Sequence, residues 1–335
     1  MMKKTFILTV MAVLGSHLLS IAQQAPDPVG SAAQPAGGRA LRTPPRELPD
    51  ISPLSINDAS PTRHGPENGS LIIIGGGRVT PDIWKKFVEL AGGVEKANIV
   101  VITTAIGDSA AFDTAAVGSV KRATGIKHVT LLHTASIQEA NSPAFVAPLT
   151  RATGVFFEGG RQWRPADSYL NTLTHKALLD LLARGGVIAG SSAGASIQGS
   201  FLWRGDTKGP HILIGDHTQG LGFLKNSVID QHLLARNREF DLVDFIRQAP
   251  ELIGIGLDQS TGIVVQKDTL QVIGQSYVAI YDYNTIIGDG AKHVVKNSRG
   301  QDDEDFTASN GAFFFLSAGQ RYDLKNRKVI IPVKQ

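Results

Sequence analysis

From residue 70 onward, apolar positions follow two alternating rhythms. Runs at 71–74, 99–102, 129–132, 155–157 and 187–189 are nearly free of polar residues, as in strands covered on both faces. The stretches between them carry helical spacing. Thr80-Pro81 supplies an N-cap and a first-turn proline. Trp84, Phe87, Val88 and Ala91 then form one stripe, and Gly92-Gly93 stop it. The segment 174–183, ended by Gly185, has the clearest helical pattern. Strand alternating with helix predicts an α/β fold with a mostly parallel sheet and helices on both faces. After about Pro210 the runs shorten (212–214, 253–257, 263–265, 270–273 and 312–316), which predicts an antiparallel C-terminal extension of the same domain. No internal repeat is present.

Ligands of such sheets bind outside the carboxyl ends of the strands, where glycines cluster here. Gly75-Gly76-Gly77 lacks the third glycine of a dinucleotide fingerprint and the acidic residue after the second strand, so it reads as a plain turn. The run 187–189 leads into Gly190-Ser191-Ser192-Ala193-Gly194, the pattern of a nucleophile elbow in which a strand turns sharply into a helix. The glycines leave room where strand and helix nearly touch, and Ser192 projects from the corner. The Ala193 amide falls at a helix start, where N–H groups lack partners and suit an oxyanion.

Composition narrows the chemistry. The chain has 335 residues, 42% hydrophobic and 19% charged, as in a soluble globular protein. A net charge of +3, without a basic patch interleaved with aromatics, argues against a nucleic-acid partner. There is no cysteine, which excludes a thiol nucleophile, disulfides and thiolate metal sites; no H-E-x-x-H pattern occurs either, and neither metal nor cofactor is expected. Lys3-Lys4, the apolar run 6–14 and the stretch 18–22 read as a signal peptide over residues 1–22, too short and interrupted for a membrane span. Residues 23–69, rich in Pro, Gly and Ala, read as a disordered linker. The expected product is secreted or periplasmic, with no stable membrane insertion after cleavage and one folded domain over 70–335.

A serine nucleophile needs a base. His232 ends the run Val228-Ile229-Asp230-Gln231, with Arg236 and Arg238 just beyond. The motif Gly-Ser-Ser-Ala-Gly-Ala, followed by Asp-Gln-His and two arginines, resembles the cyanophycinase branch of the peptidase E (S51) serine peptidases. Further motifs extend the likeness over essentially all of 70–335: Phe157-Glu158-Gly159-Gly160-Arg161-Gln162, Gly220-Leu221-Gly222-Phe223-Leu224, Gly254-Ile255-Gly256-Leu257-Asp258 and Gly319-Gln320-Arg321-Tyr322-Asp323-Leu324. The resemblance implies a flavodoxin-like fold related to class I glutamine amidotransferases, and cleavage of aspartyl or β-aspartyl peptides. It makes Ser192 the nucleophile and His232 the general base, with Gln162, Asp230, Gln231, Arg236 and Arg238 lining the substrate pocket. The Ala193 amide and the Gly159-Gly160 turn, Gly160 above all, would hold the oxyanion.

Three positions depart from the family pattern. Arg161 replaces an aspartate, Asp241 replaces a third arginine, and Gln259 replaces the glutamate that completes the triad. Glutamine orients an imidazole without stabilising its charge, and replacing the orienter of a serine protease is worth about four orders of magnitude in rate. Asp258 and Asp206 are the alternative acids. The sequence therefore points to an exported exopeptidase or dipeptidase, with a binding protein on an inactive peptidase scaffold as the second reading. A glutamine amidotransferase would need a cysteine. The partners expected are a peptide substrate and, at most, a second copy in a homodimer.

Overall fold

The computed structural model describes residues 64–107, 110–283, 294–296, 302–304 and 313–331. Its first half runs as the hydrophobic rhythm predicts. The strands β1 (Ser70–Ile74), β2 (Asn98–Ile102), β3 (His128–Leu132), β4 (Gly154–Phe157) and β5 (Val187–Ser191) are separated by helices. These are α1 (Pro81–Leu90), α2 (Ala110–Thr124), α3 (Ile137–Ala140), α4 (Pro143–Arg151), α5 (Trp163–Tyr169) and α6 (Leu173–Ala183). The five strands pair in parallel in the order β1-β5-β4-β2-β3, as strands joined by crossover helices must. All five residues of β1 are buried, because both faces of the sheet are covered.

The second half begins with α7 (Ala193–Ser196), β6 (Gly199–Phe201) and β7 (Leu224–Gln231), then α8 (Val243–Gln248) and β8 (Ile253–Leu257). The strands β9 (Thr261–Gln266), β10 (Thr269–Gly274), β11 (Tyr277–Tyr281), β12 (Val294–Lys296), β13 (Asp302–Glu304), β14 (Phe314–Ser317), β15 (Arg321–Asp323) and β16 (Lys328–Ile330) follow. The expected antiparallel extension is only part of this half. β9, β10, β15 and β16 do extend the first sheet beyond β1, giving nine strands. β12 and β13 pair only with each other, and the remaining strands build a separate five-stranded sheet, β14-β11-β8-β7-β6, in which β6, β7 and β8 are parallel. The helix α8 between β7 and β8 is what makes that pair parallel. Residues 212–214, expected as a strand, form none; Leu213 and Ile214 rest instead against the core under α8.

One core lies between the two sheets, where Leu71, Val155 and Ile188 meet Ile229, Ile255 and Ile280. A second lies under α1 and α2, and a third under α8 on the outer face of the smaller sheet. The Gly-Ile-Gly-Leu segment of β8 follows from this layering. Ile255 and Leu257 face the inter-sheet core, while a Cβ at Gly254 would come within 2.8 Å of the Tyr281 Cβ.

The fold also begins earlier than the sequence suggests. The His64 amide donates to Asp268 Oδ1 (2.8 Å), the Lys225 amide to the His64 carbonyl and the Gly65 amide to the Lys267 carbonyl. The segment 64–69, assigned above to the linker, therefore belongs to the folded domain. The expected leader and the rest of the linker lie outside the described residues. Among the described residues no helix is long and apolar enough to cross a membrane.

The layering makes a testable distinction. Ile72, fully buried in β1, should lose about 2–5 kcal/mol on substitution by alanine, whereas Val329→Ala on edge strand β16, 38% exposed, should stay within about 0.5 kcal/mol. Urea unfolding midpoints of the two variants measure the difference.

Candidate active site

The strand β5 ends at Ser191, and Ser192 takes φ 56° and ψ −113°, a left-handed conformation that a non-glycine residue holds only when its surroundings enforce it. They do so here. The Ser192 amide donates to the Ile74 carbonyl (3.0 Å), and the chain then enters α7. A Cβ at Gly190 would stand 2.1 Å from the Gly194 carbonyl oxygen, and one at Gly194 2.3 Å from that of Phe157. Only glycines allow this crossing of strand and helix. The serine hydroxyl is left half-buried at the sheet's carboxyl edge.

His232 arrives from the other sheet. It follows β7, also at positive φ (55°), and its amide donates to the Gly75 carbonyl (2.7 Å). Its Nε2 lies 2.9 Å from Ser192 Oγ. Gly76, at φ 105°, lies against the imidazole so closely that a Cβ would sit 2.3 Å from Cε1. The triple glycine read above as a plain turn is thus a wall of the site. Burial, together with the Arg236 and Arg238 charges, pushes the His232 pKa down to about 3, against an opposing pull from Asp258, so the imidazole is neutral at ordinary pH.

The far side of the ring meets Gln259, whose Nε2 is 2.9 Å from His232 Nδ1. With the carboxamide nitrogen there, Nδ1 accepts and the ring proton lies on Nε2, facing the serine. A half-turn of the carboxamide presents Oε1 instead; Nδ1–H then donates and Nε2 is free to accept the serine proton. Neither alternative acid reaches the ring. Asp258, named above among the catalytic residues, accepts from the Leu234 and Ala235 amides (3.1 Å each) and from Ser276 Oγ (2.7 Å), capping the turn after His232. The Asp206 carboxylate accepts from the Lys208 amide (2.7 Å) and the Asp216 amide (3.3 Å) in a loop of its own.

The residues expected to line the substrate pocket divide. Asp230 is wholly buried, because β7 is an inner strand of the smaller sheet, and it faces guanidinium groups rather than a ligand. Arg204 holds it through Nε and Nη2 (3.0 Å each) and Arg238 approaches at 3.4 Å. Arg238 also donates to the Gln231 carbonyl (2.8 Å) and side chain (3.3 Å); burial and its arginine neighbours lower its pKa to about 10, with Asp230 opposing. Asp241, where the family has arginine, pairs with Arg204. Gln162 is buried and donates to the Trp203 carbonyl (2.9 Å). Of the five, only Arg236 is exposed. Sequence reasoning missed Arg204 and Trp203, whose only signal was a charged residue following an apolar run.

Neither the Ala193 amide nor that of Gly160 donates to a protein acceptor among the described residues. Gly160, at φ 136°, has no room for a side chain, since a Cβ would meet the Ala105 carbonyl oxygen at 2.1 Å. A Cβ at Gly159 would be 3.3 Å from that of Ser192. Glu158, given no role in the sequence motif that contains it, precedes this turn; burial raises its carboxyl to about 7, against a hydrogen bond from the Gly159 amide.

Comparison with known proteins agrees with this geometry. The sequence model of peptidase family S51 matches residues 71–273. A cyanophycinase of Nostoc sp. is 31% identical over 214 residues, 62% of this chain and 68% of the relative. That of Thermosynechococcus vestitus is 29% identical over 288 residues, covering 82% and 86%. The crystal structure of a peptidase from an acI-B1 Actinobacterium shares the fold, with a TM-score of 0.56 at 22% identity, over 78% of this chain and 98% of that one. With its family matched across both strand ends that meet at Ser192, the chain is a serine-type peptidase and belongs to peptidase family S51.

Proposed function

We propose that the chain is an exported exopeptidase or dipeptidase that hydrolyses aspartyl or β-aspartyl bonds, with Ser192 as nucleophile and His232 as general base. The observation that carries this reading is the 2.9 Å contact of Ser192 Oγ with His232 Nε2, backed by Gln259 on the other ring nitrogen. His232 takes the serine proton as Oγ attacks the scissile carbonyl, then passes it to the leaving amine. The Ala193 and Gly160 amides stabilise the oxyanion. Water attacks the acyl-enzyme by the same route in reverse. The base-competent tautomer requires Gln259 to turn Oε1 toward Nδ1.

Arg236, the exposed member of the arginine group, suits the free α-carboxylate that a β-aspartyl residue presents. The relatives named cyanophycinases make cyanophycin a candidate substrate, although Arg161 and Asp241 change two positions of the family pattern. A second reading, a binding protein on the peptidase scaffold, draws on the imidazole's low basicity, since a base far below the working pH removes a proton poorly. Labelling by a serine-directed covalent inhibitor, read by mass spectrometry at Ser192, separates the two. An unlabelled protein favours the scaffold.

Ser192→Ala should abolish turnover of β-Asp-Arg, α-aspartyl and isoaspartyl dipeptides and of cyanophycin while leaving the unfolding midpoint near wild type. Activity close to wild type would remove Ser192 from the mechanism.

Gly76→Ala should lower kcat by about 100-fold or more, because the new methyl occupies the imidazole's place and misplaces the base. Its KM should change far less.

The pH profile tests Gln259. With His232 near 3, the base stays unprotonated and kcat should hold level as pH falls from about 7 to about 5. In Gln259→Glu the added carboxylate stabilises imidazolium, so the His232 pKa rises and an acid limb enters this range. The same charge should raise kcat by about tenfold or more with KM little changed. An unchanged kcat and a flat profile in the glutamate variant would show that Gln259 does not govern the base.

A further inference from the structure

His217 is bonded to a carboxylate on each side. Its Nε2 lies 2.7 Å from Asp167 Oδ1 on α5, and its Nδ1 lies 2.8 Å from Asp216 Oδ1. Carboxylates only accept, and a neutral imidazole donates from one nitrogen only. Both bonds exist together only in the imidazolium form.

The segment this cation ties down is the loop 203–217. Asp216 accepts from the amide (3.0 Å) and hydroxyl (2.5 Å) of Thr207, and the His217 amide donates to the Gly205 carbonyl (2.8 Å). The same loop carries the Trp203 carbonyl that takes Gln162 and the Asp206 carbonyl that takes Arg161. It also carries Arg204, which holds Asp230 beneath the substrate pocket. An imidazolium at 217 thus closes a ring of bonds from α5, through the loop, to the pocket floor.

We propose that His217 is a positioning residue whose imidazolium, bridging Asp167 and Asp216, clamps the loop 203–217 onto α5 and holds the pocket in its substrate-binding shape. This rests on the peptidase reading for its functional consequence, though not for the clamp itself. The charges facing His217 are Asp167 on α5 and Asp216 on the loop; Asp206 accepts from the Asp216 amide, and Arg161 and Arg164 flank the start of α5. Arg164 lies over the Trp163 ring, which packs 5.8 Å from the imidazole; Arg161 feels both Asp206 and Asp216. Burial lowers the His217 pKa, but the bonds and charges of Asp216 and Asp167 outweigh it, and the net shift is upward from 6.5. The clamp is therefore complete below the ordinary histidine value and is lost as pH rises through the raised one.

Two measurements across this titration test the clamp. Hydrogen exchange of the wild-type protein, corrected for base catalysis of the intrinsic rate, should show the Leu202 and Arg204 amides, bonded to the Thr218 and Leu213 carbonyls, losing about tenfold protection as pH rises. His217→Gln should show the low protection at every pH, and His217→Lys the high protection, since an ammonium donates to both carboxylates throughout. KM for an active aspartyl dipeptide should follow: rising about threefold or more in wild type with kcat less affected, high and level in His217→Gln, and low and level in His217→Lys. The lysine variant controls for ionisation of the substrate. Loop protection that stays level through the titration, or a His217→Gln KM equal to wild type, overturns the proposal. Absence of turnover in every variant would count against the peptidase assignment, while the exchange data still decide the clamp.

Discussion

Everything at the site depends on one backbone hydrogen bond, from the His232 amide to the Gly75 carbonyl. It joins the end of a strand in the smaller sheet to the end of the central strand of the larger one. Ser192 is held by the neighbouring carbonyl, that of Ile74, so the serine and the histidine are fixed to consecutive peptide groups. A side chain at Gly76 would push the imidazole out of this seam. The contact between Ser192 and His232 is thus a consequence of how two sheets meet, with little left to the rotamers of flexible loops.

Around that seam the protein buries an unusual amount of charge. Asp230 has no exposed surface, and Arg204 and Arg238 are nearly as deep. Such groups are tolerated only when paired and hydrogen-bonded, and here each guanidinium also reaches a carbonyl, Pro210 for Arg204 and Gln231 for Arg238. The departure at Asp241 makes sense in this light. Arg204 already brings a second positive charge to Asp230, and a carboxylate at 241 balances it. The cluster sets Arg236 and Arg238 beside His232, and their charges add to burial in depressing the imidazole's basicity.

Much of this was legible in the chain. The parallel half followed from apolar runs and helix caps, because strands covered on both faces leave an uninterrupted pattern. The elbow was legible because its glycines serve a steric need that no other residue meets. Gln259 was one of three candidates for the far side of the imidazole, with Asp258 and Asp206, and it is the one whose side chain lies against Nδ1. The second sheet was not legible: β6 has three residues, and β7 carries Lys225 and Asn226 at its start, so neither shows a clean period. Asp230 and Gln162, expected to line the pocket, are buried against Arg204 and the Trp203 carbonyl, since a polar residue in a motif looks alike whether it faces a ligand or a protein group. The glycine wall at 75–77 was passed over because its partner is an imidazole more than 150 positions away.

The seam also sets an order on the chain's own synthesis. A ribosome releases the elbow at 192 before β7 brings the histidine, and β8 with Gln259 comes later still. β8 in turn lies between β7 and β11, and β9 must pair with β1 before the turn between β8 and β9 is held from both ends. The emerging polypeptide therefore has the strand and turn of Ser192 long before it has the strand that brings His232 against it. Until the strands near residue 280 have emerged and docked, β8 has no partner on its outer side, and truncated products ending earlier never complete the sheet that carries His232.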